Sequence, residues 1–301
     1  MIDSAKHTGQ YRRGIAALLL FVVCLCFANE ARPAEVIVVG DTRLKPVVEV
    51  IAGIRSSVKK EIEVYAPSET RAGKLSKIVK QEGALTVIAL GQESLEEALS
   101  LPPEITVLYT LVILPPKTSR QNTTGVYMGT PIREYLKVID SYLPDLKKIS
   151  VIGSPEVLEV LDHSNRNHLM TYRARNAFDF VSIVKKLKKP DALLLLPDIS
   201  LLTKTALEES YLFSFRKKVP LLGISKKHVR QGALFALEFD PEKVGRRLGS
   251  MAAASLEGKV FAQGQALPSQ NFSLYINRET AKKMGISIPE EMIKIAAGVF
   301  P

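Results

Sequence analysis

EVIVVGDTRLKPVVEVIAGIRSSVKKEIEVYA, residues 35–66, contains two apolar runs separated by an amphipathic segment. The runs at residues 35–40 and 61–66 are rich in valine and isoleucine, which favour β-strands. Residues 46–58 between them have the length and amphipathic character of a helix. A strand, a helix and a second strand in this order are typical of parallel strands joined by a crossover helix. Because the first strand is apolar on both faces, helices are expected on both sides of its sheet.

The same alternation continues to residue 240 in two series of similar length. The first series adds helices over residues 69–81 and near Leu95, and strands over residues 85–91, 105–114 and 124–129. The second series begins with a helix for which Thr130 is the predicted N-cap and Pro131 the first residue. Its later strands are predicted at residues 148–153, 168–174, 192–198, 220–225 and 233–240, and its later helices at residues 156–162, 178–188 and 203–217. We therefore predict an α/β protein with two lobes, each built on its own sheet.

Residues 241–301 extend beyond these two series. A helix is predicted to begin at Asp240 and Pro241 and to end at Gly258, and Gly245, Gly249 and Ala253 form a stripe of small residues on it that permits close packing. A last strand at residues 271–277 and short helices at residues 278–284 and 289–297 follow. A helix and a strand after two complete sheets indicate that the chain recrosses between the lobes. We expect residues 35–129 with 241–268 in lobe 1, and residues 130–240 with 269–301 in lobe 2.

The N-terminal segment has the features of an export signal. Arg12 and Arg13 precede an apolar run that extends from Ile15 to Ala28 and ends in Cys26, Phe27 and Ala28, the small, any, small pattern that signal peptidase accepts. A bilayer-spanning helix needs about 20 apolar residues, so a retained anchor is the less favoured alternative. Both cysteines of the chain lie in this run, which excludes disulfides and thiolate sites from the mature protein. We predict a signal peptide over residues 1–28, with cleavage after residue 31 or 34 as alternatives, and a periplasmic protein.

The formal net charge is +10, from 41 lysines and arginines against 31 aspartates and glutamates. Such an excess can indicate a nucleic-acid or anionic-membrane partner. The lysines are spread in doublets that follow helical patterns, where a cation complements the helix dipole; these doublets are residues 59–60, 147–148, 188–189 and 217–218. We therefore expect no nucleic-acid partner.

The sequence contains no pattern typical of an enzyme. None of GxSxG, HExxH, GxGxxG and GxxxxGK[ST] occurs, and the paired glutamates fall on predicted exposed helix positions. We therefore expect no enzymatic activity, no catalytic residue, no metal site and no cofactor.

Polar residues follow the carboxyl ends of several predicted strands, where open α/β sheets bind ligands. In the first series these residues are Asp41, Thr42, Gln92, Glu93 and Ser94. In the second series they are Ser154, Glu156, Asp198, Ser200 and Ser225. Alternatively, several of these polar residues have only a structural role. Ser94 would then be an N-cap with Glu97 completing a capping box, and Asp198 and Ser200 would be cap and turn residues. Two such rims facing one another would form a ligand-binding cleft.

The chain resembles ABC transporter substrate-binding proteins with the type I periplasmic binding fold, a family that includes aromatic amino-acid binders. The stretch RQGALFALEFDPEKVGRRLG, residues 230–249, carries much of this resemblance. Residues 123–156, 189–207, 219–259 and 274–293 contribute to it in the same order as in the family.

This resemblance implies two Rossmann-like lobes joined by three crossovers, and closure of the lobes on a ligand. It places ligand-contacting loops at residues 92–94 and at Ser154, Asp198 and Ser225. It also implies an amino acid or related small polar solute as ligand, an ABC permease in the inner membrane as partner, and a monomeric protein. Polar loop residues expected in the family are missing from residues 111–116 and 153–156. The alternative is therefore a protein of this fold that acts as an envelope adaptor or sensor partner without a transport substrate.

Overall fold

The computed structural model describes residues 35–162, 169–262, 265–270 and 272–301. The predicted signal peptide, residues 1–28, lies outside the described residues. No helix within the described ranges is long and apolar enough to cross a membrane.

The first sheet has six strands in the order β11-β5-β4-β3-β1-β2, and all neighbouring pairs are parallel. We call this sheet and the helices packed on it lobe 1. Its strands are β1 (Val36–Val39), β2 (Ile62–Tyr65), β3 (Thr86–Leu90), β4 (Thr106–Thr110), β5 (Thr123–Tyr127) and β11 (Gln265–Pro268). The helices between its strands are α1 (Lys45–Ser57), α2 (Pro67–Thr70), α3 (Lys74–Glu82) and α4 (Gln92–Leu99).

The second sheet has seven strands in the order β13-β12-β10-β9-β8-β6-β7, and we call it, with its helices, lobe 2. Among the described residues, β10 and β12 pair antiparallel and the other neighbouring strands of this sheet pair parallel. The strands are β6 (Ile149–Gly153), β7 (Leu169–Arg173), β8 (Ala192–Leu194), β9 (Leu221–Gly223), β10 (Phe235–Phe239), β12 (Phe272–Asn277) and β13 (Gly298–Phe300). The helices of the second half are α5 (Ile132–Tyr142), α6 (Pro155–Leu161), α7 (Ala177–Lys186), α8 (Lys204–Lys217), α9 (Lys226–Arg230), α10 (Pro241–Leu256), α11 (Arg278–Met284) and α12 (Glu290–Ile295).

The chain passes between the sheets three times: after β5, after β10 and after β11. The first passage leads to α5, whose Tyr135 hydroxyl donates to the Gly223 carbonyl of lobe 2 at 2.9 Å. The second leads back to α10, which packs against α1 and the first sheet. Two Rossmann-like lobes with three crossovers, as expected, are therefore confirmed.

Helices α1 and α10 touch through glycines. A Cβ atom on Gly245 would lie 2.1 Å from the Val50 carbonyl oxygen, and one on Gly53 would lie 2.2 Å from that of Glu242. Each backbone therefore occupies the space that a side chain on the other helix would need. The small-residue stripe predicted on α10 brings its backbone against α1 and anchors the returning chain to lobe 1.

Both faces of the first sheet are covered, as the apolar composition of β1 predicts. Ile37 and Val39 contribute to one hydrophobic cluster, while Val36 and Val38 contribute to another on the opposite face. All four side chains are fully buried, so both faces of the sheet are covered at β1.

Several predicted elements differ from the structure. The helix predicted at residues 69–81 is two helices, because Ala72 and Gly73 adopt positive φ angles of 59° and 77°. The strand predicted at residues 105–114 ends at Thr110, since Leu111 has a φ of 60°, incompatible with an extended strand. The N-cap predicted at Thr130 is wrong by one residue, because Pro131 precedes the first turn of α5 in extended conformation.

The strand predicted at residues 192–198 is also shorter, because Ala192–Leu194 alone pairs with its neighbours. Two edge strands, β11 and β13, were not predicted. β11 contains a proline and β13 spans three residues, so neither shows the apolar run used to identify strands.

Candidate functional site

Three cavities lie at the carboxyl ends of the strands, where the two lobes face each other. The central cavity, of about 510 Å³, is lined by Gln92 and residues 111–116 of lobe 1 and by residues of the loops after β6 and β8 in lobe 2. The lobe-1 cavity, about 390 Å³, lies at the ends of β1 and β3. The hinge-side cavity, about 430 Å³, includes Thr130 and Pro241 at two of the crossovers.

These cavities adjoin one another. The central and lobe-1 cavities share Gln92 and Leu111, and the central and hinge-side cavities share Ile113 and Pro197. They therefore form one cleft between the lobes, with volumes in the range of ordinary small-molecule sites.

Nine of the ten residues predicted from sequence line this cleft. Gln92, Ser154, Glu156, Asp198 and Ser200 line the central cavity; Asp41, Glu93 and Ser94 join Gln92 in the lobe-1 cavity; and Ser225 lines the hinge-side cavity. Thr42 is exposed and lines none of the three. The polar residues after the strands are brought together because parallel strands present their carboxyl ends at one edge of a sheet.

The carboxylate of Asp198 accepts three hydrogen bonds at the wall of the cleft. Its side chain is 4% exposed, and its Oδ2 atom accepts a hydrogen bond from the Ser154 backbone N–H at 2.9 Å. Its Oδ1 atom accepts from the backbone N–H of Ser200 at 3.1 Å and from the Ser200 hydroxyl at 2.6 Å. Ser154 is in turn the N-cap of α6, with its hydroxyl accepting from the Val157 N–H. The turn role considered for Asp198 and Ser200 is therefore present, on the wall of the cavity.

Ser225 is the N-cap of α9, since its hydroxyl accepts from the His228 N–H at 3.4 Å. The His228 ring lies beneath this turn, where its Nδ1 atom accepts from the Ile224 N–H at 3.3 Å. Burial, and to a smaller extent the positive charge of Lys227, lowers the pKa of His228 to about 4. This histidine is therefore neutral at physiological pH.

Two acidic residues of the lobe-1 cavity already have basic partners. Asp41 pairs with Arg43 at 2.7 Å, and hydrogen bonds from the Arg43 side chain and backbone lower the pKa of Asp41 to about 2. Glu93 pairs with Arg71, which comes from the segment between α2 and α3. Both carboxylates are therefore neutralised by the protein itself.

The start of α4 contributes Gln92 and Ser94. The N-cap is Gly91, with a φ of 95°, and it makes no side-chain capping hydrogen bond. Ser94 lies within the first turn, so its alternative interpretation as an N-cap paired with Glu97 is wrong. Its hydroxyl is buried and has no hydrogen-bond partner among the described residues.

The rest of the central cavity is apolar. Lobe 1 contributes the continuous segment Leu111, Val112, Ile113, Leu114, Pro115 and Pro116. Lobe 2 contributes Val157, Pro197 and Ile199, and the Ile199 side chain is 84% exposed. The Ile199 side chain is therefore accessible to a molecule that enters the central cavity.

The charged side chains of the hinge-side cavity were missed from sequence. Lys45 and Glu49 lie on α1, and Glu238 lies on β10. Glu238 is the partly exposed residue of the otherwise buried strand β10, and a charged residue within an apolar run is the sequence signal that could have identified it. Within the described residues, no three His, Cys, Asp or Glu side chains are grouped closely enough to hold a metal ion.

A family model described as ABC transporter substrate binding protein matches residues 108–300. Among curated proteins, none matches the chain in sequence.

Three solved structures share the fold. The ligand-free, open structure of CD0873, described as a substrate binding protein with adhesive properties from Clostridium difficile, is 16% identical with a TM-score of 0.66 and covers 89% of this chain and 99% of its own. The ABC domain in complex with L-Trp from Streptococcus pneumonia is 20% identical with a TM-score of 0.54, and 88% of this chain and 100% of that chain are covered. A conserved domain protein from Vibrio cholerae is 22% identical with a TM-score of 0.55, over 89% of this chain and 99% of that one.

Proposed function

Because this chain belongs to the family of ABC transporter substrate-binding proteins, we propose that it binds a small molecule in the cleft between its lobes and passes it to an ABC importer. The observation that carries this proposal is the central cavity, whose wall combines residues 111–116 of lobe 1 with residues 197–200 of lobe 2. A ligand there contacts both lobes at once. It therefore favours a closed arrangement over an open one.

We also propose where the protein acts and with which partner. The signal peptide over residues 1–28 directs the mature chain to the periplasm, where it acts as a monomer without enzymatic activity or a nucleic-acid partner. Its partner is the permease in the inner membrane. Residues 35–129 with 241–268 move as one lobe, and residues 130–240 with 269–301 as the other, about the three crossovers.

The ligand-binding residues proposed are those of the cleft: Asp41, Gln92, Glu93, Ser94, Ser154, Glu156, Asp198, Ser200 and Ser225. We take an amino acid or a related small polar solute as the class of ligand to test first. The similar structure from Streptococcus pneumonia is a complex with L-Trp. The apolar segment at residues 111–116 supports a ligand with a substantial apolar part.

One observation favours a second function. Asp41, Glu93 and Asp198 are already engaged in ion pairs or hydrogen bonds within the protein, so fewer polar groups remain for a small polar solute. An envelope adaptor or sensor partner that keeps this fold without a transport substrate is the alternative function.

Thermal unfolding of the refolded, ligand-stripped mature chain tests the proposal, with a panel of amino acids, amines, small carboxylates, nucleosides and sugars. A ligand at 100 times its Kd stabilises by about 2.7 kcal/mol, which corresponds to about 5 °C in Tm for a chain of this size. Small-angle scattering of the same samples should show a smaller radius of gyration when the cleft closes.

A matched pair of variants locates the binding site. Ile199→Ser removes an exposed apolar side chain from the central cavity, whereas Ile295→Ser removes one, 56% exposed, that lines none of the three cavities. We expect Ile199→Ser alone to weaken binding. No Tm increase for any compound, with a folded protein, would favour the adaptor function.

A further inference from the structure

The charged residues of the cleft have the opposite sign to the chain as a whole. The carboxylates that line its three cavities are Asp41, Glu49, Glu93, Glu156, Asp198 and Glu238. The basic residues that line them are Lys45 and His228. This acidic cleft lies in a chain with a formal net charge of +10.

Part of this acidic charge is neutralised locally. Asp41 pairs with Arg43, Glu93 with Arg71, and Glu49 with Lys45 at 3.4 Å. The last of these pairs engages Lys45, and His228 is neutral because burial lowers its pKa to about 4.

Three carboxylates remain, and all belong to lobe 2. Among the described residues, no basic side chain forms an ion pair with Glu156, Asp198 or Glu238. Glu238 accepts one hydrogen bond, from the Lys226 backbone N–H at 3.2 Å. Asp198 accepts three, all from neutral donors, which leaves about one of its four acceptor positions free.

Two of these three carboxylates line a cavity with an apolar wall. Glu156 and Asp198 line the same cavity as residues 111–116, which carry no charged side chain. Closing the lobes on a ligand removes water from the carboxylates, and a buried charge without a counter-charge is costly. A positive charge on the ligand removes this cost, while its apolar part contacts lobe 1.

Other ligand charges fit less well. The carboxylates do not form a group able to hold a metal ion within the described part of the chain. A ligand carboxylate at the lobe-2 wall of the central cavity would lie near Glu156 and Asp198, which have no ion-pair partner among the described residues. An anion or a zwitterion would therefore meet repulsion in the cleft that a cation does not.

We propose that the ligand of this cleft is an organic cation with an apolar body, held with its positive charge toward Glu156, Asp198 and Glu238 and its apolar part toward residues 111–116. This inference rests on the proposed function, since it specifies the class of molecule bound at the same site.

Calorimetric titration with matched ligands tests the charge. Phenethylamine, hydrocinnamate and L-phenylalanine share one apolar body and differ in charge, as do tryptamine, indolepropionate and L-tryptophan; hexylamine and hexanoate extend the series. We expect the amine of a set to bind at least about tenfold more tightly than the carboxylate or amino acid, and to bind more weakly as salt is raised.

Carboxylates or amino acids that bind as tightly as the amines would overturn the inference and leave the proposed function intact. If no compound binds in the titrations and none of the wider panel raises the Tm, both the inference and the proposed function are overturned.

Variants of the unpaired carboxylates provide a second measurement. Glu156→Gln and Glu238→Gln keep the shape and one acceptor oxygen of the side chain but remove its charge, and each should weaken amine binding by about fivefold without weakening hydrocinnamate binding. Glu159→Gln is the control, because Glu159 is exposed on the same helix as Glu156 but lines none of the cavities. Equal losses in all three variants, or losses that do not depend on ligand charge, would contradict the inference.

Discussion

The carboxylate of Asp198 accepts a hydrogen bond from the backbone N–H of Ser154 at 2.9 Å, with both residues buried. This contact ties the loop after β8 to the start of α6 across 44 residues of sequence. It therefore holds the lobe-2 wall of the central cavity in one arrangement before any ligand binds.

Replacing Asp198 should destabilise the fold. Asp198→Ala leaves the Ser154 N–H and the Ser200 donors without their acceptor, and we expect a loss of about 3 kcal/mol in the free energy of unfolding. Asp198→Asn keeps one acceptor oxygen and should lose less. Urea unfolding measures both, with the exposed Asp145→Ala as a control. A loss from Asp198→Ala no larger than that of the control would contradict a structural role for this carboxylate.

The contact between α1 and α10 should not tolerate a methyl group. Gly245→Ala places a Cβ atom 2.1 Å from the Val50 carbonyl oxygen, so the helices must separate. We expect a loss of about 2 to 3 kcal/mol, measured by urea unfolding. Ser250→Ala on the exposed face of α10 is the control and should change stability by less than about 0.5 kcal/mol. Equal stabilities of the two variants would show that the glycine contact is not tight.

Replacing Arg120 with lysine should destabilise the fold. Its guanidinium donates to the carbonyl oxygens of Pro102 at 2.6 Å and Gln121 at 3.0 Å, to the Thr123 hydroxyl at 2.8 Å, and to three further carbonyls, of Leu101, Ile105 and Asn122. A lysine has three donors on one nitrogen and cannot reach this spread of acceptors. We expect Arg120→Lys to lose about 2 kcal/mol in thermal unfolding.

Arg133 provides the comparison for Arg120, because its side chain is partly exposed and its ion pair is with a single carboxylate, that of Glu134. Arg133→Lys should lose less than about 0.5 kcal/mol. Similar Tm values for the two variants would mean that the carbonyl contacts of Arg120 contribute little.

Stability should fall in acid partly through His228. Its pKa is about 4 in the folded protein and about 6.5 when unfolded. Between these pH values the unfolded state binds more protons, so stability is lost as the pH falls through this window and is unaffected by this group above it. We expect up to about 3 kcal/mol more loss for the wild type than for His228→Asn, whose side-chain oxygen can still accept from the Ile224 N–H. Parallel curves of stability against pH would contradict this assignment.

The placement of the cleft residues could be predicted because it follows from local rules. Apolar runs alternating with amphipathic segments define parallel strands joined by helices, and polar residues after such strands meet at one edge of the sheet. Asp41, Gln92, Ser154 and Asp198 were located in this way. Thr42 directly follows Asp41 after the same strand but is exposed to solvent, since local rules do not give side-chain direction in a loop.

The sequence by itself therefore determined the α/β class, the two lobes and the edge at which the cleft forms, because backbone propensity and hydrophobic pattern act over short stretches. Only the tertiary structure decided that β11 pairs with β5, that Arg71 neutralises Glu93, and that Glu156, Asp198 and Glu238 have no ion-pair partner among the residues that the structure describes. These relationships join residues far apart in the chain. They depend on how all the elements pack together, so a pattern of neighbouring residues in the sequence does not predict them.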